Sequence, residues 1–317
     1  MKLSFIIPHK GRVEFLRETL ESVINQQLPQ AITEQEIIVV SQGPPEECQR
    51  IRAIFPDVRL YLESDLYTIS KLRNSGVART DAELLAFIDA DIRLAPQWVS
   101  TCFAALRQDS ARVLTSAVQA CPVEAGWVER LRCMLGTNIG NRSVSFLDGR
   151  NLFTTRSAFE AVGGFPEHLV TCEDFFFTYA LSRLGSLYIS SEASYVHIGE
   201  DKTLRTLFGK EIWRGQSNLQ SLKGRTIPLR EWPSILIPLL LPMLWLAALG
   251  GVVAGWPWFT LAAIGGCFFP VALYSIRASI LSKGGVSFFN ILRFYTVYFT
   301  ARALGTWRGA FLWRGAR

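Results

Sequence analysis

Residues 232–276 contain no Asp, Glu, Lys or Arg over 45 positions, and nothing else in the chain narrows its fold as much. A membrane is crossed by about 20 apolar residues in a helix, so the run has the length of two spans and a tight turn. The spans are expected at about Pro233–Val253 and Pro257–Ser275, with Gly250, Gly251 and Gly255 at the turn. Pro238 and Pro242 would kink the first, which lipid-embedded helices tolerate. Trp232, Trp245, Trp256 and Trp258 include candidates for interfacial aromatic belts. A buried helical hairpin in a soluble core is the competing reading.

Charge is distributed to match. Residues 1–200 hold 19 Lys+Arg and 24 Asp+Glu, whereas residues 201–317 hold 14 and 3. A basic region can serve nucleic acid or a membrane. Here it coincides with the most apolar segment and carries no nucleic-acid-binding signature, so a membrane is the expected partner and nucleic acid is not. Lys223, Arg225 and Arg230 precede the first span, Arg277 and Lys283 follow the second, and the turn has no positive charge. The positive-inside rule then puts both flanks and the N-terminal region on the cytoplasmic face of the cell (inner) membrane, in a multi-pass arrangement. Residues 286–305 are apolar but carry Arg293, with Asn290, Thr296 and Thr300 on the same stripe. This suits an amphipathic helix in the headgroup layer, with a third span as the alternative. Arg302, Arg308, Arg314 and Arg317 would meet anionic headgroups. Met1-Lys2 leads straight into a strand-like run, so no signal peptide is expected. The six Cys form no C-x-x-C pair and read as reduced thiols.

Residues 1–120 alternate strand-like and helix-like patterns. Leu3–Ile7, Glu36–Val40, Val58–Leu62, Leu84–Ile88 and Val113–Val118 read as strands, the first stopped by Pro8. Helical spacing follows Val13, covers Ile69–Ala78 and Pro96–Leu106, and recurs at Phe175–Leu184. This order implies an α/β domain with a mostly parallel sheet and helices on both faces. Ligands of such sheets sit at the carboxyl ends of the strands, where the loops at Pro8–Arg12, Ser41–Gly43 and Asp89–Asp91 would converge.

Asp89-Ala90-Asp91 follows the buried strand directly. Two carboxylates at i and i+2 repel unless a cation sits beside them. A divalent metal on oxygen ligands, holding a diphosphate, is one occupant; a solvated turn after a strand is the other reading.

Phe5-Ile6-Ile7-Pro8, Ile37–Gly43, Arg73-Asn74-Ser75-Gly76, Phe87–Asp91, Val162-Gly163-Gly164-Phe165 and Glu173-Asp174 stand in an order that resembles the family 2 glycosyltransferases. The resemblance covers roughly residues 1–200 and implies a GT-A fold, Rossmann-like, with residues 201–231 as a basic interfacial or active-site helix and linker. Residues 232–276 would form the membrane hairpin and 277–317 the interfacial helix and basic tail. It implies inverting transfer of a sugar from a nucleotide-diphosphate donor, UDP-sugar by family habit, to a lipid-linked sugar or growing glycan in cell-surface polysaccharide or glycolipid synthesis. Mg2+ or Mn2+ would be the cofactor, with Asp91 as ligand, Asp89 as its support or as a ribose contact, and His197 as a further ligand. Asp174 resembles the catalytic base, with Glu173 beside it; both acids also suit the N-terminus of the following helix. Pro8, Lys10, Arg12, Gln42, Arg73 and Arg214 would contact the donor, and Arg150, Asn151 and Trp213 the sugar or acceptor.

One departure stands out. Ser41-Gln42 occupies the place where the family usually has acids, one of them reading the donor base; the Gln42 amide could still bond a base edge. A sugar nucleotidyltransferase and a non-catalytic scaffold of a polysaccharide-assembly complex are the rival functions.

Overall fold

A computed structural model describes residues 1–136, 140–222, 227 and 229–314. Lys223, Arg225 and Arg317 of the charge argument lie outside the described residues, as do the side chains of Arg230 and Arg314. The chain divides into two compact units, one of residues 1–120 and 136–200 and the other of residues 121–135 and 201–317.

Among the described residues the first unit has nine strands: β1 (Lys2–His9), β2 (Glu34–Ser41), β3 (Arg59–Leu62), β4 (Leu84–Ile88), β5 (Ile92–Leu94), β6 (Arg112–Gln119), β7 (Arg142–Val144), β8 (Asn151–Thr155) and β9 (Ser186–His197). They form one sheet in the order β3-β2-β1-β4-β8-β6-β9-β5, with β7 also on β9. The ladders of β1 with β2 and β4, of β2 with β3 and of β6 with β9 are parallel, whereas β8 runs antiparallel between β4 and β6.

Alternation along the strands feeds two cores. Phe5, Ile7, Val39, Ala86 and Ile88 face one side, under Leu16, Leu20 and Val23 of α1 (Val13–Ile24), Cys48 and Ile51 of α2 (Pro45–Ile54), and Val99 and Cys102 of α4 (Trp98–Gln108). Ile6, Ile38, Val40, Leu85 and Phe87 face the other, under Leu72 and Val77 of α3 (Ile69–Val77), Ala158 and Phe159 of α6 (Arg156–Ala161), and Phe177 and Leu181 of α7 (Glu173–Ser182). Burial on both faces explains why these strands read as continuous apolar runs. Pro8 does not stop β1. It lies in register with Val40, while the β4 ladder ends at Ile6, so its missing N–H interrupts no pairing on that side.

The second unit holds α5 (Trp127–Gly136), α8 (Leu204–Gly215), α9 (Trp232–Val253), α10 (Pro257–Ser282) and α11 (Phe288–Arg314). Helices α9 and α10 are long and apolar enough to cross a membrane, and most of each is unburied. The second is longer than expected and takes in Arg277. Ile291, Phe294, Phe299 and Ala303 of α11 join a core with Leu207, Leu241, Val271 and Ala278. Helix α11 crosses α8 with Gly305 and Gly309 against the Ile212 and Gln216 backbone, where any side chain would collide.

Gly76 brings α3 onto the sheet, since a Cβ there would lie 2.5 Å from Ile6 Cγ2. Ile6 is fully buried in a central strand, so neither partner can yield cheaply. Gly76→Ala is expected to cost about 1–3 kcal/mol of stability, seen as a lower midpoint in thermal unfolding; an unchanged midpoint would show that α3 is free to shift.

Candidate active site

The carboxyl ends of β1, β2 and β4 carry His9, Ser41 and Asp89–Asp91, and the antiparallel β8 brings Arg150 and Asn151 to the same edge. The backbone N–H of Asp89 donates to the Arg150 carbonyl at 2.9 Å, which fixes the start of the acidic turn.

Arg73 holds the acids in place. Thr68 caps α3 by accepting from Lys71 N–H, and the helix delivers Arg73 into the interior with 1% of its surface exposed. Its guanidinium donates to Asp89 Oδ1 at 2.8 Å, Glu173 Oε1 at 3.0 Å and the Gly149 carbonyl at 3.1 Å, and lies over the Phe165 ring at 4.8 Å. Arg73, expected at the donor, lies with its guanidinium among protein acceptors. Both terminal nitrogens are engaged by protein, because two adjacent carboxylates need the cation more than solvent does. Glu173 is buried against Arg73, whereas Asp174 is only half-buried. Asp174 Oδ2 accepts from Gly149 N–H at 3.2 Å. Burial, with the charges of Glu173 and Asp148 adding to it, pushes the Asp174 carboxyl up to about 7. Burial and the neighbouring Asp91 likewise raise Asp89 to about 6, against the opposing pull of Arg73.

Asp91 and His197 converge from β4 and β9. Asp91 Oδ2 lies 3.4 Å from His197 Nε2 and 3.0 Å from Arg12 Nη2. A Cβ on residue 199 would collide with the Asp91 carboxylate, so Gly199 keeps this corner open. Burial lowers the His197 pKa, but hydrogen bonds with Asp91 and Glu200 outweigh it and the net shift is upward. One carboxylate and one imidazole suit a hard divalent cation whose remaining positions come from phosphate oxygens and water. No cluster of three or more His, Cys, Asp or Glu that could hold a metal occurs among the described residues; Asp91 and His197 are the two that would contribute to one. Asp89, tied to Arg73, stands behind them.

At the β1–β2 end, Arg12 caps α1 in a left-handed conformation, φ 54°, which turns its side chain towards Asp91. His9 Nδ1 bonds Ser41 Oγ at 2.8 Å, and its Nε2 is buried without a protein partner. Gln42 Nε2 donates to the carbonyls of Ser64 and Tyr67, leaving its Oε1 as the polar atom for other contacts. Pro8 lies buried in β1 and Lys10 is exposed after it. Arg150 Nη1 donates to Gln119 Oε1 at 2.7 Å and Tyr195 Oη at 3.0 Å. Asn151 is buried; its Oδ1 accepts from Trp98, Ser116 and Ala117, and its Nδ2 has no acceptor.

Trp213 and Arg214 belong to the second unit, on α8. Trp213 is 48% exposed. Arg214 pairs with the fully buried Asp201 and Glu211, which also engage Arg132, Lys210 and Arg302. Sequence reading missed Gln119, Asp148, Tyr195 and Glu200. Only Glu200 carried a signal, three residues after His197 where the strand ends.

The profile of the family described as glycosyl transferase family 2 matches residues 4–163. "Glycosyltransferase AglE" of Haloferax volcanii is 24% identical over 185 residues, 56% of this chain and 60% of that protein. "Validoxylamine A glucosyltransferase" of Streptomyces hygroscopicus subsp. jinggangensis is 29% identical over 107 residues, 32% of this chain and 25% of that protein. The chain thus spans less than two thirds of either relative. Among solved structures, the mannosyltransferase PcManGT of Pyrobaculum calidifontis, in complex with GDP-Man and Mn2+, superposes with TM-score 0.62 at 17% identity, over 96% of this chain and 86% of that one. S. aureus TarS in complex with UDP gives TM-score 0.51 at 15% identity, over 100% and 92%. These likenesses show a GT-A fold.

Removing Arg73 strands Asp89 and Glu173. Arg73→Ala is expected to lose about 3–5 kcal/mol of stability. The loss should be larger at pH 8 than at pH 5, because the Asp89 carboxyl, already raised to about 6, takes up a proton at the lower pH. Equal losses at both pH values in thermal unfolding would show that carboxylate repulsion is not what Arg73 relieves.

Proposed function

The chain belongs to glycosyl transferase family 2, and from that membership we propose that it is an inverting, divalent-metal-dependent glycosyltransferase. It would move a sugar from a nucleoside-diphosphate donor to a membrane-associated acceptor hydroxyl. The observation that carries the reading is the pairing of an Asp91–His197 corner with Asp174, joined through Arg73, Asp89 and Gly149.

Each side chain has a task in this reading. Asp91 and His197 hold the cation, which when bound offsets charge on the departing diphosphate. Arg12 and Lys10 supply further positive charge for the diphosphate, and Pro8 backs the donor pocket. Gln42 meets the base through Oε1, with uracil and guanine as the candidate bases, since the structural neighbours are complexes with UDP and GDP-Man. Asp174 takes the proton of the attacking hydroxyl, and a carboxyl near neutrality suits that step. Glu173 and Arg73 keep Asp174 and Asp89 in position. Arg150 and Asn151 are proposed around the sugar and acceptor.

Two helices of membrane-crossing length in the same chain support a lipid-linked acceptor, since anchoring raises the local concentration of such carriers. The cytoplasmic face of the cell membrane is the proposed address, and surface-glycan synthesis the proposed setting.

The reading separates binding from transfer. Asp91→Asn should abolish metal-dependent donor binding, measured calorimetrically with Mn2+ or Mg2+. Asp174→Asn should leave that binding intact and reduce transfer at least 100-fold. Full transfer by Asp174→Asn would remove it as the base. With wild-type protein, ionised Asp174 is the active form, so transfer should fall about tenfold per pH unit below about 7 and level off above it. A rate unchanged from pH 5 to 8 would contradict this.

A further inference from the structure

We infer that Glu200 is a positioning residue that sets which nitrogen of His197 faces the cation corner, an inference resting on the metal site proposed above. Arg150 fixes the first orientation, because a guanidinium has donors only. Its Nη1 lies 2.7 Å from Gln119 Oε1, so the Gln119 amide is held oxygen-first towards Arg150. Gln119 Nε2 therefore points the other way, and donates to Glu200 Oε2 at 3.3 Å. The same Glu200 oxygen lies 3.1 Å from His197 Nδ1. A carboxylate oxygen that takes one N–H from Gln119 takes the second from Nδ1–H, which leaves Nε2, 3.4 Å from Asp91 Oδ2, as the nitrogen that gives up its proton and presents its lone pair when a cation enters the corner.

Burial makes the arrangement stiff. Glu200 is 4% exposed, His197 7% and Gln119 4%, and Arg150 is further anchored on Tyr195 Oη at 3.0 Å. The backbone carbonyl of Arg150 receives the Asp89 N–H, so the relay is fastened at both ends of the acidic turn: at Asp89 through the backbone and at Asp91 through His197. A histidine whose far nitrogen is held by a carboxylate is a better-oriented and more basic ligand, and loss of such a partner typically costs about 10–100-fold in metal affinity.

The test is Mn2+ affinity of the full-length protein in nanodiscs, read from the free-ion paramagnetic resonance signal, alone and with UDP or GDP. Glu200→Ala is expected to weaken Mn2+ by about 10–100-fold, and Glu200→Gln, which keeps an oxygen for Nδ1–H, to recover most of the loss. In a double-mutant cycle, His197→Ala should weaken binding at least as much, and adding Glu200→Ala to it should cost nothing further. If Glu200→Ala does not fold, Glu200→Leu fills the volume and takes its place. Wild-type affinity in Glu200→Ala or Glu200→Leu, or losses that multiply in the cycle, would overturn the role of Glu200. Wild-type protein that takes up no Mn2+ under any of these conditions would instead overturn the metal assignment beneath it.

Discussion

A buried guanidinium holds this site together. Asp89 follows β4, Glu173 opens α7 and Gly149 precedes β8, three segments distant in sequence, and Arg73 binds all of them. Without a cation at that point the two carboxylates would repel each other and lose solvation together. With it, Asp89 stays behind Asp91, and Asp174 is carried into place as the neighbour of Glu173. The close approach extends to the backbone, since a Cβ on Gly149 would sit 3.0 Å from Arg73 Nη2 and 3.2 Å from Asp174 Cβ. The price of concentrating negative charge shows in the raised pKa values of Asp89 and Asp174.

The sheet decides which residues can meet. Because β1, β2 and β4 run parallel, their carboxyl ends share one edge, and residues after those ends are neighbours. The antiparallel β8 adds its first residues to that edge, and β9 its last residue, His197, beside Ile92 of β5. Acids, imidazole and guanidinium groups thus gather from β1, β4, β8 and β9 and from α3 and α7, while the two apolar cores remain free of them.

How legible this was in the sequence varied with the physics behind each element. Strand β4 was readable to the residue, as five apolar positions buried on both faces and ended by an acid. Helices α9 and α10 were readable because 45 uncharged residues leave few alternatives, and the order of motifs pointed to the family. Strand β8 was not, because its start is set by pairing with β4 and not by any local pattern. Segment 121–135 was not either, since its membership of the second unit depends on tertiary packing by Val128 and Leu131. At the site, Asp91, Asp174 and His197 were visible as residue types at strand or helix ends. The engagement of Arg73 by acids was invisible, because whether a cation faces ligand or protein depends on carboxylates 16 and 100 positions away. Gln119 was invisible for the same reason, a relay through an amide having no sequence period, whereas Glu200 left only the hint of its place after His197.

The central claim is that this edge of the sheet carries out transfer from a nucleotide sugar. Its most direct measurement is a donor screen on purified full-length protein in nanodiscs, with Mn2+ and membrane lipid extract, following release of nucleoside diphosphate. Release is expected from one nucleotide sugar, dependent on both the extract and the metal. No release from any nucleotide sugar, or pyrophosphate release from a nucleoside triphosphate and a sugar phosphate instead, would contradict it.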